Sequence, residues 1–385
     1  MIHRILNPTH TSSYFLFGPR GTGKTTLVRT LIRPEEALFI DLLDPAEEDL
    51  FLRSPGELEA RVKALPPAGT WVVIDEIQKA PRLLDLVHKL IESSVRKFVM
   101  TGSSGRKLRR GASNLLAGRA FVYRLHPLTH REVGDAFDLE HALRWGTLPR
   151  VHQLGDSRDK DDYLRAYALT YLKEEIIAEQ VIRKLAPFRQ FLEVAAQGNG
   201  KIVNYSKIAE DVGADTKTVQ SYFSILEDTL VGTLLPPYHA SIRKRQRSNP
   251  KFYLFDPGVK RALDRTLSVP LQDGTYAFGS AFEHFVILEA LRLSCYRAND
   301  WALSYLRTKD DAEIDLVIER PGLPVALVEI KSTHNVRERD VAPVRRFVPD
   351  FGACEAFCLS LDPHEKKLGQ VWCFPWQKGL EKMGL

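Results

Sequence analysis

The sequence predicts an α/β protein of several domains, and three stretches carry that prediction. Residues 14–32 read YFLF, GPRGTGKTT and LVRTLI: an apolar strand, a glycine loop and a helix-compatible run. Residues 71–76 read WVVIDE, an apolar run of the kind found in strands buried on both faces, ending in two acids. Residues 313–331 hold EIDLVI, a Pro-Gly reversal and VALVEIK, which predicts a β-hairpin. With 385 residues, the chain exceeds what one core organises, so two or three domains are expected.

Hydrophobic residues make up 44% and charged residues 27%, and no apolar stretch approaches the roughly 20 residues of a membrane span. The opening MIHRILNPTH lacks a signal peptide's apolar core, so a cytoplasmic location and no membrane partner are expected. Cys295, Cys354, Cys358 and Cys373 lack paired CxxC spacing and read as reduced thiols. The net charge of +5 is modest, but two runs concentrate cations: Arg106, Lys107, Arg109, Arg110 and Arg119, then Arg243, Lys244, Arg245, Arg247 and Lys251.

The first element is the loop Gly18, Pro19, Arg20, Gly21, Thr22, Gly23, Lys24, Thr25 and Thr26. Its backbone N–H groups are placed to wrap a β-phosphate, with Gly18, Gly21 and Gly23 keeping Cβ atoms away. Lys24 reaches the β/γ oxygens and Thr25 offers its hydroxyl to Mg²⁺, so ATP with Mg²⁺ is the expected cofactor pair. The next strand ends in Asp75, suited to hold the ion, and Glu76, suited to polarise the attacking water. A third strand, Lys97 to Met100, ends in TGSS, where Ser103, or alternatively Thr101, would touch the γ-phosphate and that water. Arg119 precedes a further strand, Ala120 to Leu125.

Together GPRGTGKTT, WVVIDE, TGSS and this Gly-Arg resemble the AAA+ ATPases over about the first third of the chain. DEIQKAP and LLAGR…HPLTHREV look like the prokaryotic AAA-like subgroup that carries a carboxyl-terminal domain long of unknown function. The resemblance implies a P-loop parallel sheet and makes Arg119 a finger reaching a neighbouring subunit's nucleotide, hence a homo-oligomer. An arginine there can equally pair with a carboxylate of its own chain.

From Arg131 to Leu192 the pattern is helical, with Tyr163, Leu164, Tyr167, Tyr171, Leu172, Ile176 and Ile177 recurring at spacings of three and four. Residues 204–226 then read as a helix-turn-helix around Gly213, with Val219, Tyr222, Phe223 and Leu226 inward and Thr216, Lys217, Gln220 and Ser221 outward. Two short strands flanking the basic run complete what looks like a winged helix. Lys217, Arg243, Lys244, Arg245 and Arg247 are its candidate DNA contacts, mainly to phosphates, although such modules also bind proteins.

In the carboxyl-terminal part, Glu283 lies on the helix GSAFEHFVILEALRL, Asp315 on one strand, and Glu329 and Lys331 on one face of the next. Asp315 and Glu329, with Glu283 as a third ligand, are candidates for Mg²⁺ or Mn²⁺, and Lys331 for orienting a water. The set resembles the PD-(D/E)xK nucleases position for position, except that Ile314 stands where that motif's proline would be. The resemblance implies a restriction-endonuclease-like α/β domain and metal-dependent DNA cleavage, or a cleavage-silent fold that only binds. The expected organisation is an ATPase core over 1–135, a helical connector over 136–190, a winged helix over 191–268 and the nuclease-like domain over 269–385.

Overall fold

The computed structural model describes residues 2–66, 70–103, 118–171, 185–239, 249–298, 300–308, 310 and 312–385. The chain forms two compact units: residues 1–128 with 148–150 and 225–231, and residues 129–147 with 151–224 and 232–385. It is therefore an α/β multidomain protein. The expected basic residues Arg106, Lys107, Arg109, Arg110, Arg243, Lys244, Arg245 and Arg247 lie outside the described residues, as do Ser104 and the helical positions Leu172, Ile176 and Ile177.

The first unit runs β1 (Ser13–Phe17), α1 (Lys24–Leu31), β2 (Ala37–Asp41), α2 (Pro45–Arg53), α3 (Glu57–Lys63), β3 (Trp71–Asp75), α4 (Leu83–Ser93), β4 (Lys97–Gly102) and β5 (Ala120–Arg124). Its strands form one parallel sheet in the order β2-β3-β4-β1-β5. All five residues of β1 are buried, as a parallel strand covered on both faces requires. Helix α4 buries Leu83, Leu84, Val87 and Leu90 at helical spacing, in one cluster with Ile40, Val72, Ile74, Phe98 and Met100. Leu230, from the far side of the sequence, packs on the same cluster. Because β4 lies between β1 and β3, the carboxyl ends of these three strands adjoin, which is where open α/β sheets bind ligands.

The rest of the chain forms α5 (His130–Val133), α6 (Leu139–Trp145), α7 (Pro149–Gln153), α8 (Ser157–Ala166) and a π-helical turn at Tyr167–Tyr171. Then come α9 (Leu185–Gln197), α10 (Tyr205–Val212), α11 (Thr216–Asp228), β6 (Gly232–Leu235), β7 (Lys251–Leu254), α12 (Pro257–Leu263) and α13 (Tyr276–Tyr296). Gly213, at φ 64°, closes α10 in the left-handed conformation that permits the tight turn into α11. β6 and β7 pair antiparallel.

The last elements are β8 (Ala302–Arg307), β9 (Glu313–Glu319), β10 (Val325–Lys331), α14 (Glu338–Phe347), β11 (Cys354–Ser360), β12 (Lys366–Leu368), β13 (Val371–Pro375) and α15 (Trp376–Lys382). Their six strands make a mixed sheet in the order β12-β13-β11-β10-β9-β8. β9 and β10 are antiparallel around Gly322 at φ 81°, whereas β10, β11 and β13 run parallel. All four cysteines are free thiols.

A buried polar network ties early and late residues of the second unit. Glu289, fully buried, accepts from the His130 backbone N at 3.0 Å and lies 2.5 Å from His130 Nδ1. Arg292 donates to Thr147 Oγ1 at 3.0 Å and to the Phe255 carbonyl at 2.8 Å, while Asp256 accepts from Thr147 N at 2.8 Å. Such charges are tolerated inside because each has partners.

Candidate phosphate-binding and carboxylate sites

The glycine loop joins β1 to α1 at the adjoining strand ends. Gly21 and Gly23 adopt φ 78° and 91°, and a Cβ on Gly18 would collide with the Leu125 carbonyl. Gly18 N donates to the Gly102 carbonyl at 3.2 Å, so the loop entry is pinned to the tip of β4. Pro19 is buried, while Arg20 and Thr26 are exposed; Thr22 Oγ1 donates to the Pro19 carbonyl at 2.8 Å. Arg4 braces the loop from outside, donating to the Thr22 carbonyl at 2.8 Å and to the His126 carbonyl at 2.6 Å.

Lys24 is buried, and its ammonium donates to the carbonyls of Gly18 at 2.9 Å and Pro19 at 3.4 Å, with Glu76 Oε1 at 3.9 Å. Thr25 Oγ1 donates to Asp75 Oδ2 at 2.7 Å. Thr101 Oγ1 donates to the other oxygen of Asp75 and accepts from Glu76 N at 3.2 Å. Ser103 is one step removed: Gln78 Nε2 donates to Ser103 Oγ at 3.3 Å and also to Glu76 Oε2. Glu76 has a left-handed backbone at φ 58°, unusual for a residue other than glycine, which turns the chain immediately after the strand. Lys24, Thr25, Asp75, Glu76, Thr101 and Ser103 thus meet at one sheet edge. Arg119 instead lies 2.5 Å from Glu92 of its own chain, both half-exposed. The Thr25 hydroxyl and the Asp75 carboxylate are hard oxygen donors of the kind Mg²⁺ takes, so this pair fits the ion.

In the carboxyl-terminal sheet, Asp315 Oδ2 accepts from Ile330 N at 2.7 Å, which fixes it across the hairpin from Glu329. Lys331 Nζ stands 2.5 Å from Glu329 Oε1, and Glu329 Oε2 is buried with no hydrogen-bond partner among the described residues. Burial, reinforced by the Asp315 charge, raises the Glu329 pKa to about 8. The same two causes in the same order raise that of Glu283 to about 7, and burial raises Asp315. The four expected residues therefore sense one another electrically. Even so, no group of three or more His, Cys, Asp or Glu among the described residues is arranged to hold a metal ion. Glu283 is engaged elsewhere: Tyr253 donates its hydroxyl to Glu283 Oε1 at 3.0 Å, and the Lys251 ammonium lies 3.5 Å from the same atom. Lys251 also reaches Glu313 Oε1 at 2.5 Å. A cavity of about 590 Å³ opens beside Glu283 and Lys331, with Lys201, Thr275, Ser332 and His334 in its wall.

On α11, Val219, Tyr222, Phe223 and Leu226 are buried, and Lys217, Gln220 and Ser221 are exposed, so one polar face is open to solvent. Sequence reasoning missed Arg4, Gln78, Lys251, Tyr253 and Glu313. Gln78 sits two residues beyond Glu76, and only the turn after β3 brings its amide back onto that acid. Lys251 gave a misleading signal, since it looks like the end of a solvated basic run and is in fact buried.

Three stretches of the chain match known protein families. Residues 10–134 match the family described as AAA domain, residues 136–270 a domain of unknown function (DUF8612), and residues 278–378 another (DUF4143). The first of these supports an ATP-binding, ATP-hydrolysing AAA+-type domain. The uncharacterized proteins Rv2008c of Mycobacterium tuberculosis and Mb2031c of Mycobacterium bovis are each 30% identical over 323 residues, spanning 83% of this chain and 70% of theirs. Among solved structures, the Aeropyrum pernix ORC2 protein in ADPNP-ADP complexes overlaps 67% of this chain and 88% of its own at 10% identity. Its TM-score is 0.37.

Proposed function

The chain belongs to the family of the mycobacterial proteins Rv2008c and Mb2031c, and from that premise we propose that it hydrolyses ATP and uses nucleotide state to gate metal-dependent cleavage of bound DNA. The observation that carries the first half is the meeting of Lys24, Thr25, Asp75 and Glu76 at one sheet edge. Lys24, which caps loop carbonyls, exchanges them for β/γ-phosphate oxygens when nucleotide enters. Thr25 and Asp75 hold Mg²⁺, which when bound offsets the charge on the transferring phosphate. Thr101 keeps Asp75 aimed. Glu76 polarises the water after releasing Gln78, and Ser103 feels that release through the same amide. Arg119 completes a neighbour's site in a homo-oligomer only by leaving Glu92.

For DNA, the winged-helix reading rests on α10, α11 and the β6–β7 hairpin, with Lys217 on the exposed face. The restriction-endonuclease-like reading rests on Asp315, Glu329 and Lys331 across one hairpin. Glu329 Oε2, without a hydrogen-bond partner among the described residues, supports a cation there: a buried carboxylate oxygen costs roughly 1–3 kcal/mol when unsatisfied, which Mg²⁺ or Mn²⁺ would relieve. Lys331 orients the attacking water and faces the developing phosphate charge.

Lys24→Ala should lower ATPase kcat/KM by about 10²-fold or more while leaving nuclease-site residues intact. Asp315→Ala and Lys331→Ala should abolish cleavage of single-stranded, duplex or branched DNA and spare ATP hydrolysis. Wild type that leaves every DNA form intact with both Mg²⁺ and Mn²⁺ sinks cleavage. The engagement of Glu283 by Lys251 and Tyr253 favours a second reading, an ATP-driven switch that binds DNA or a partner protein without cutting. Salt-dependent DNA affinity without product would establish it.

A further inference from the structure

We infer that Lys251 is the built-in cation of the carboxyl-terminal acid cluster, its ammonium holding the place among Glu283, Glu313 and Asp315 that a second divalent ion would otherwise take. The inference rests on the same site as the proposed DNA cleavage, but its outcome is a cation count and not a cut strand.

The Lys251 side chain is 4% exposed, whereas lysine normally keeps its ammonium in water. Desolvating that charge is costly unless carboxylates surround it. They do, with Glu313 at 2.5 Å, Glu283 at 3.5 Å and the face of Tyr305 at 5.5 Å from the ring centroid. Burial opposes the ammonium's charge, and Glu283, Glu313 and Asp315 more than offset it, so its pKa rises. Nor is this a surface lysine that has swung inward. Its backbone is fixed in β7 opposite Leu235 and bridged to Ile202, so the stem enters the cluster from a paired strand. Arg307, 3.8 Å from the second oxygen of Glu313, closes the outer rim.

An ammonium and a divalent ion compete for the same carboxylate oxygens and repel each other. The cluster is thereby divided. On one side Lys251 satisfies Glu283 and Glu313; on the other, Glu329 Oε2, buried and without a hydrogen-bond partner among the described residues, stands with Asp315. A divalent ion is accordingly excluded from the first place, and any that binds the cluster does so at the second.

The test counts Mn²⁺ on the full nucleotide-free chain, by equilibrium dialysis and electron paramagnetic resonance, in an Asp75→Asn parent that silences the amino-terminal site. Lys251→Met should gain one Mn²⁺ per chain, at least tenfold tighter than any such binding in the parent. Lys251→Arg should gain none, and Lys251→Met with Glu313→Gln should lose the gain. A Lys251→Met chain with the parent's circular dichroism and the parent's ion count overturns the inference, as does a parent that already binds two ions. If Lys251→Met folds only with Mn²⁺ present, the inference is supported. If it stays unfolded with Mn²⁺ while Lys251→Met with Glu283→Gln and Glu313→Gln folds, the inference is overturned. A parent that binds no ion sinks the cleavage reading alone, because the Lys251→Met gain is measured separately.

Discussion

Thr101 is fully buried, and its hydroxyl donates to Asp75 while accepting from the Glu76 backbone N–H. One oxygen thereby sets the direction of two acids that follow each other in sequence. Thr101→Val keeps the shape and removes the hydroxyl, leaving a carboxylate oxygen and an N–H without their partner. The expected cost is about 1–3 kcal/mol in urea unfolding, together with a fall of about tenfold in ATPase kcat. Unchanged kcat would mean that Asp75 is held well enough by Thr25 alone. Ser103, the residue expected to report on the phosphate, contacts neither acid directly; Gln78 stands between. This distinction was not legible in TGSS, because which of two small polar residues faces inward depends on how β4 meets β3. The glycine loop was legible, since its chemistry lies within nine consecutive residues and depends on no distant partner.

Among the elements, α6 and α7 carry a titratable pair. The rings of His141 and His152 lie 4.9 Å apart. Burial first, then the charges of His152 and Lys160, lower His141 from its ordinary 6.5 to about 4, with Asp138 pulling weakly the other way. A histidine whose folded pKa lies below its unfolded value favours folding when neutral. Its contribution is complete above pH 6.5 and is lost as pH falls from there toward 4. The melting temperature should drop across that window, and His141→Gln should flatten the drop; an unchanged slope would assign the acid sensitivity to other groups. Element type was readable where a pattern was long or punctuated: the apolar strands, the α10–α11 pair turned by Gly213, and the β9–β10 hairpin turned by Gly322. What could not be read was convergence. Lys251 and Tyr253 lie on β7 and reach Glu283 on α13 through tertiary packing, which leaves no mark in local spacing.

At the scale of the molecule, the chain passes between its two compact units five times, since 148–150 and 225–231 belong with the amino-terminal unit. A fragment ending at residue 135 would lack Leu230, which packs against the core of the parallel sheet. It should melt a few degrees below the same unit in the full chain, as the loss of a partly buried leucine, about 1–2 kcal/mol, implies, and ATP with Mg²⁺ should recover part of the difference. Equal melting temperatures would show that the returning segment adds nothing. The buried network of the second unit extends the same connectivity in another direction. His130 and Glu289 are 159 residues apart and meet as a buried pair. Genetic exchange that replaced one without the other would deliver an acid stripped of its imidazole into a closed interior, so the two stretches should be inherited as a single cassette.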